Sequence, residues 1–182
     1  MLGIVFDNYI SFLEDAFGVE QCELIIDKAC PDGDSSFTAV GNYSFDKMLD
    51  FVVATHESTG KEITELLQSF GLYLFPKLME GYGSMLGEIN HSFEMIECIE
   101  NHIHVEVKKL YPNAELPTFD THKTEDGELI VEYSSARPLA DLAEGLLKGC
   151  CLYFKNDVDV HRKEREVSDG YGALFKLKEK HV

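Results

Sequence analysis

The amino-acid sequence predicts an α+β fold, with a helical N-terminal part and a C-terminal antiparallel sheet of about four strands accompanied by helices. Apolar residues recur at helical spacing over roughly the first two thirds of the chain, and strand-like alternation begins only later. The 182 residues, 45% hydrophobic and 27% charged, suit one globular domain and are too apolar for disorder. Neither repeats nor a low-complexity linker interrupt the chain, so we expect one unit over residues 1–182.

Four helices are predicted in the N-terminal part. The first ends at Gly18, the third ends before Gly60, and Pro76 should kink or break the fourth near Tyr73. The four segments are MLGIVFDNYISFLEDAF, VEQCELIIDKA, SFDKMLDFVVATHES and KEITELLQSFGLYLFPKLM.

A long amphipathic helix is predicted over HSFEMIECIENHIHVEVKKLYP, and Pro112 should stop it. The apolar residues that mark its periodicity are Ile96, Ile99, Ile103, Val107 and Leu110.

The C-terminal third reads as a hairpin, a helix and two further strands. TFDTH and ELIVEYS flank a turn at 125–127, and PLADLAEGLLKGCCLYF is a helix with Pro138 at its first position. NDVDVHRKEREV and YGALFKLKE complete the sheet as strands joined at Asp169 and Gly170.

Charge and cysteine usage exclude several classes of partner. The formal charge of -17 repels nucleic acid and anionic lipid, leans toward a monomer, and leaves a cationic protein surface as a partner. No apolar run is long enough to span a membrane, and the N-terminus has no basic segment typical of an export signal. Five cysteines without framework spacing indicate free, mostly buried thiols, and hence a cytoplasmic protein.

Tyr133, Ser135 and Arg137 form the first candidate site. Residues two apart on a strand share a face, so two hydroxyls and a guanidinium should project together beside the helix that begins at Pro138. Such a set suits a carboxylate or a phosphate. The alternative is a strand end in water, with Arg137 paired to a nearby acid.

His102 and His104 form the second candidate site. Two histidines two apart point in different directions on a helix, which makes a zinc pair improbable. One of them could ligate a single metal, and helical periodicity does not choose between them. The sequence has no nucleophile elbow, P-loop, dinucleotide fingerprint or metalloprotease motif, and Asp157 and Asp159 fit a solvated strand face, so we expect no enzyme.

Together these residues resemble a known family. His104, Tyr111-Pro112, Pro117 thirteen positions after the histidine, and the Tyr-x-Ser-x-Arg of 133–137 are similar to the H-NOX family. These haem nitric oxide/oxygen-binding domains are related to the sensor domain of soluble guanylate cyclase, and the resemblance covers essentially the whole chain. It implies a helical distal subdomain over residues 1–60 and a proximal subdomain with the sheet over residues 61–182, with haem between them.

The resemblance also implies the roles of these residues. His104 is then the proximal ligand of one haem b, with His102 a neighbour and ligation by His102 a minor alternative. Tyr133, Ser135 and Arg137 clamp the haem propionates, and Pro117 presses on the porphyrin and distorts it.

The distal side of the haem determines which gas binds. Oxygen-binding members of the family carry a tyrosine where this chain has Leu142. With Val5 and Leu74 as further wall residues, an apolar pocket should favour nitric oxide and carbon monoxide over oxygen. Tyr9 and Tyr73 are other hydroxyls that could enter the pocket.

Some bacterial relatives carry a zinc bound by three cysteines and a histidine near the C-terminal strands. Here Cys150, Cys151 and His161 have no later cysteine to complete the set, so we expect no zinc and a cysteine pair packed in the core.

The implied mechanism is a switch: nitric oxide weakens or breaks the bond between iron and His104, and the freed helix changes the conformation that a partner reads. With no output segment before Val182, the expected partner is a separate histidine kinase or cyclic-di-GMP enzyme. The competing hypothesis is a cofactor-free acidic interaction module with an anion site at Arg137.

Overall fold

A computed structural model describes residues 1–180, apart from the side chain of Met85. The chain divides into two compact units, Met1–Phe70 and a second that starts at Gly71. The division falls inside the fourth helix, later than the subdomain boundary at residue 60 that the resemblance implied. No helix in the described part of the chain has both the length and the apolar character needed to span a membrane.

The first unit contains three complete helices, which confirm the predicted segments. Ser44 caps the third helix, because its Oγ accepts a hydrogen bond from the backbone N–H of Lys47 at 3.3 Å. Gly60 ends the same helix in the left-handed conformation at φ 70°, which glycine adopts without strain. The helices are α1 (Gly3–Phe17), α2 (Val19–Ala29) and α3 (Phe45–Thr59).

Aromatic rings fill the core of this unit. The ring centroids of Tyr9 and Phe70 lie 4.8 Å apart in an edge-to-face arrangement. The buried hydroxyl of Tyr9 donates to Thr55 Oγ1 at 3.1 Å, and the Thr55 hydroxyl donates to the carbonyl oxygen of Phe51 at 2.7 Å. This chain of hydrogen bonds satisfies both buried hydroxyls, as burial requires.

Of the two outcomes predicted for Pro76, a kink or a break near Tyr73, the break does not occur. Helix α4 runs without interruption over Ile63–Tyr82, with the proline inside it. Leu74 and Phe75 are buried immediately before the proline. Gly149 lies so close to Phe75 that a Cβ on this glycine would stand 2.9 Å from the Phe75 Cβ. Burial of two large side chains stabilises the helix by an amount comparable to the roughly 3 kcal/mol that an interior proline costs, so packing preserves it.

The long amphipathic helix predicted over HSFEMIECIENHIHVEVKKLYP is helical along its length, but the helix type changes in the middle. A 3₁₀ turn at Gly83–Met85 leads to α5 (Ser92–Cys98), a π-helix over Ile99–Ile103 and α6 (His104–Leu110). The predicted end before Pro112 is confirmed. The π-helix was not predicted; such segments are rare and are frequent at functional sites.

The sheet confirms the predicted α+β class. It has four antiparallel strands in the order β1-β2-β4-β3, and its inner face carries Val131, Tyr133 and Phe175, all of which are buried. The strands are β1 (Thr118–Lys123), β2 (Leu129–Ser135), β3 (Val158–Arg165) and β4 (Tyr171–Glu179).

Helix α7 spans Ala140–Tyr153 and packs on the sheet. It starts two residues later than predicted, so Pro138 lies outside the helix and Leu139 is the residue before its first turn. The backbone N–H of Leu139 donates to the carbonyl oxygen of Arg137 at 2.8 Å, which makes 137–139 a tight turn rather than a first helical turn. All five cysteines are free thiols and four of them are buried, as predicted.

Candidate functional site

His104 lies where the π-helix meets α6. Its side chain is only 12% exposed, and its Nδ1 lies 3.1 Å from Oε2 of Glu100, one turn earlier. His102, by contrast, is exposed within the π-helix. Exposure to solvent therefore distinguishes His104 from His102, which helical periodicity could not do.

The chemistry around His104 selects one tautomer of a neutral imidazole. Burial lowers the pKa of His104, the carboxylate of Glu100 opposes this shift, and Lys108 adds to it. An Nδ1 that faces a carboxylate oxygen must carry the hydrogen, which leaves the lone pair on Nε2. Within the described residues, Nε2 makes no hydrogen bond. A neutral imidazole with a free lone pair is the form of histidine that ligates metals.

Glu100 is a residue of this site that sequence analysis missed. Besides facing His104, its Oε2 accepts a hydrogen bond from the backbone N–H of Phe119 in β1 at 3.1 Å. The Phe119 ring lies beside the imidazole, with centroids 5.9 Å apart. The i, i+4 spacing of Glu100 and His104 was the available signal, because residues four apart on a helix are neighbours.

The Tyr-x-Ser-x-Arg residues are joined by hydrogen bonds. The backbone N–H of Arg137 donates to Ser135 Oγ at 3.1 Å, and the Ser135 side chain acts on the Tyr133 hydroxyl, whose pKa it lowers against the effect of burial. Burial raises the pKa of Tyr133, whose ring is 1% exposed. The two hydroxyls and the Arg137 backbone therefore lie together at the end of β2.

The Arg137 guanidinium forms an ion pair with Glu115, in the segment between α6 and β1. The arginine side chain is 17% exposed, whereas the glutamate is 71% exposed. Arg137 thus faces a carboxylate, as the alternative interpretation expected, and a guanidinium fork in that position also fits the carboxylates of a ligand. Pro117, half-buried, lies two residues after Glu115 and immediately before β1.

The three predicted wall residues of the distal pocket fall in both units. Leu74 on α4 and Leu142 on α7 are buried in the second unit. The backbone oxygen of Leu142 lies so near Gly71 that a Cβ on that glycine would stand 2.5 Å from it. Val5 is half-buried on α1 of the first unit.

Tyr9 and Tyr73, the two tyrosines whose hydroxyls could enter the distal pocket, both interact with other residues. Tyr9 donates to Thr55, as described above. Tyr73 is half-buried on α4, with the Lys77 ammonium 5.7 Å from its ring centroid.

The cysteine pair and His161 do not come together. Cys150 and Cys151 are buried on α7 and burial raises the pKa of both thiols, that of Cys151 to about 11. His161 is exposed on β3. Across the described residues, no three or more His, Cys, Asp or Glu side chains are grouped so as to hold a metal ion. The absence of zinc stays a prediction.

Comparisons with known proteins identify the family. The model of the family described as haem-NO-binding matches residues 2–162. The chain belongs to the H-NOX family. An H-NOX protein from K. algicida, solved in the Fe(II) unliganded state, is 30% identical with a TM-score of 0.88, over 100% of this chain and 98% of that one. Members of the family are haem-based gas-sensor domains.

Two further H-NOX structures are similar to this chain. The solution structure of the protein from Shewanella woodyi, bound to IWP-051 in the Fe(II)CO state, is 36% identical with a TM-score of 0.83, over 99% of this chain and 95% of that one. The protein from S. oneidensis in the Fe(II)NO state has a TM-score of 0.90 over 100% of both chains, and at 21% identity it supports the fold alone. No curated protein matches the chain.

The side chains of the second unit fit the haem of an H-NOX protein. His104 offers a mostly buried neutral imidazole with its Nε2 lone pair free of hydrogen bonds in the described part of the chain. Arg137, with the hydroxyls of Tyr133 and Ser135, offers donors that suit carboxylates. A metal ligand and a carboxylate clamp within one unit are what an iron porphyrin with two propionates requires.

Proposed function

We propose that this H-NOX protein is a nitric oxide sensor that binds one haem b through His104. The observation that carries the proposal is the mostly buried imidazole of His104, whose Nδ1 faces Glu100 and whose Nε2 is left for a metal. His102 is exposed and is the weaker candidate ligand. When bound, the haem supplies a ferrous iron to which nitric oxide and carbon monoxide bind.

Tyr133, Ser135 and Arg137 would hold the propionates. Arg137 exchanges the exposed carboxylate of Glu115 for a carboxylate of the cofactor, and Ser135, already bonded to the Arg137 backbone, keeps the turn in place. Because a guanidinium binds a carboxylate through two parallel hydrogen bonds, Arg137 contributes most of this binding. Pro117, next to β1, would contact the porphyrin.

Gas selectivity follows from the wall residues Leu142, Leu74 and Val5. None of the three side chains has a donor for a hydrogen bond, and bound oxygen, which carries partial negative charge, gains more from a donor than nitric oxide does. The Tyr9 hydroxyl is held by Thr55. We therefore expect nitric oxide and carbon monoxide to bind and oxygen to be excluded.

The protein would signal by a change of conformation and not by turnover. His104 is the residue at which the π-helix becomes α6, so a metal held by its Nε2 would constrain a rare helix type, and loss of that constraint would let this segment move. Glu100 and Phe119 connect this point to β1. A cytoplasmic histidine kinase or a cyclic-di-GMP enzyme would read the change, and the formal charge of -17 favours a cationic surface on that partner.

Replacement of His104 tests the proposal. His104→Gly should lose haem during purification and regain it when imidazole is supplied, because free imidazole can occupy the position of the missing side chain. His102→Gly is the matched control and should keep haem, since that histidine is exposed. A cofactor-free interaction module would show no haem in the wild-type protein and no response to imidazole.

A further inference from the structure

A single carboxylate oxygen connects the candidate haem ligand to the sheet. Oε2 of Glu100 lies 3.1 Å from Nδ1 of His104 and also 3.1 Å from the backbone nitrogen of Phe119. The Glu100 side chain is 33% exposed and the His104 side chain 12%. His104 and Phe119, the two partners of this carboxylate, are mostly buried, which strengthens a hydrogen bond to a charged acceptor.

The two contacts fix the position of the carboxylate. Glu100 belongs to the π-helix and Phe119 to β1, so the hydrogen bond to the Phe119 backbone holds the carboxylate to the sheet irrespective of the histidine. Because Oε2 is held in this way, the imidazole can satisfy Nδ1 in only one orientation. The bond also excludes the tautomer in which Nε2 carries the hydrogen.

Another glutamate near this site shows that the arrangement is specific. Glu97, on α5, also reaches β1, where it pairs with the Lys123 ammonium at 2.9 Å. Its side chain is 34% exposed, almost the same fraction as that of Glu100, but its partner is a lysine that is 49% exposed. An exposed pair of this kind contributes little. Glu97 therefore matches Glu100 in charge, exposure and the strand reached, and differs because its carboxylate pairs with Lys123 where that of Glu100 pairs with His104.

We infer that Glu100 is the positioning residue for His104, and that its carboxylate strengthens the bond from Nε2 to iron and so sets how readily nitric oxide detaches the histidine. The inference rests on the proposed function. An anionic acceptor at Nδ1–H makes the imidazole a stronger donor at Nε2, as carboxylate partners of ligating histidines do elsewhere. Through Phe119, the same carboxylate places β1 one hydrogen bond away from the ligand.

The test compares Glu100→Gln, Glu100→Leu and Glu97→Gln in the reduced haem protein. The iron–histidine stretching frequency should fall in Glu100→Gln and further in Glu100→Leu, and the fraction of nitric oxide complex without a histidine bond should rise in the same order. The reduction potential of the haem should rise as well, because the anionic partner stabilises ferric iron. Haem retention in Glu100→Leu should fall roughly 10- to 100-fold. Glu97→Gln should match the wild type in all four measurements.

An unchanged stretching frequency in Glu100→Gln and Glu100→Leu, with haem bound, would overturn the inference and leave the proposed function standing. If the wild-type chain binds no haem, the proposed function fails, and the nitrogen chemical shifts of His104 in the full chain still test Glu100. The wild type should then show hydrogen on Nδ1, and Glu100→Leu should show it mainly on Nε2. The same tautomer in both proteins would reject the positioning role.

Discussion

Arg137 and Glu115 form an ion pair that joins the end of β2 to the segment carrying Pro117. The guanidinium is mostly buried and the carboxylate is exposed, so the arginine is held in place while its partner remains free to exchange. A haem propionate that replaces Glu115 would find the guanidinium already oriented.

Arg137→Gln should weaken haem retention. The variant removes hydrogen bonds between charged groups that contribute about 1.5–3 kcal/mol each, which corresponds to roughly 10- to 100-fold in the rate or extent of haem transfer to an acceptor protein. Arg165→Gln is the matched control, because Arg165 pairs with Glu132 at 2.6 Å on the sheet. Equal retention in the two variants would contradict the propionate role. Glu115→Gln should retain haem at least as well as the wild type, since it removes the competing carboxylate.

Leu142→Tyr should allow oxygen to bind. The substitution places a hydroxyl donor at the position where oxygen-binding H-NOX proteins carry one, and bound oxygen accepts a hydrogen bond. The absorption spectrum of the reduced variant in air should show an oxygen complex, with a carbon monoxide complex as the check on folding. Leu142→Phe supplies the ring without the hydroxyl and should show no oxygen complex. If both variants bound oxygen, or if neither did, Leu142 would not be the residue that excludes it.

Thr55→Val should destabilise the first unit. The substitution keeps the shape of the side chain but leaves the buried Tyr9 hydroxyl without its acceptor, at a cost of about 1–3 kcal/mol. Urea unfolding followed by circular dichroism measures the change, and Thr55→Ser, which keeps the hydroxyl, should lose less. A Thr55→Val protein as stable as the wild type would show that the Tyr9–Thr55 bond contributes nothing net.

Tyr9 should make stability depend on alkaline pH. Burial raises the pKa of Tyr9 to about 12 from an ordinary value of 10.0, and the bond to Thr55 opposes the shift only in part. The unfolded chain therefore loses this proton first, so the contribution of Tyr9 is complete below pH 10 and declines as the pH rises toward 12. By about pH 11 the wild type should lose about 1.4 kcal/mol relative to Tyr9→Phe. A difference between the two proteins that stays constant from about pH 9 to about pH 11 would contradict this.

The sequence predicted the elements whose signals are local. Gly18, Ser44 and Gly60 mark helix ends by their backbone preferences, and strand alternation identified all four strands. The helix does not break at Pro76, since Phe75 packs against Gly149, a residue far along the chain that local signals do not show. Hydrophobic periodicity could not predict the π-helix, because Glu100 of this helix is hydrogen-bonded to Phe119, which belongs to another element, β1.

The sequence predicted residues of the site only where they belong to a recognisable motif. Alternation correctly placed Tyr133 and Ser135 on one strand, but β2 ends at Ser135 and Arg137 lies in the turn that follows, held by its backbone bond to Ser135. Glu115 meets Arg137 through the path of a loop that the sequence does not specify. Periodicity left His102 and His104 equal, and the resemblance to H-NOX proteins chose between them. The physical distinction is burial and a carboxylate partner, both of which depend on the folded chain.

An anaerobic absorption spectrum of the purified, reduced protein tests the central claim most directly. We predict a Soret band that moves when nitric oxide or carbon monoxide is added and stays in place in air, because in the proposed function His104 would hold the iron and Leu142 would offer no donor to oxygen. A shift in air would mean that another side chain stabilises bound oxygen. The absence of a Soret band even after reconstitution with haem would contradict the sensor function itself.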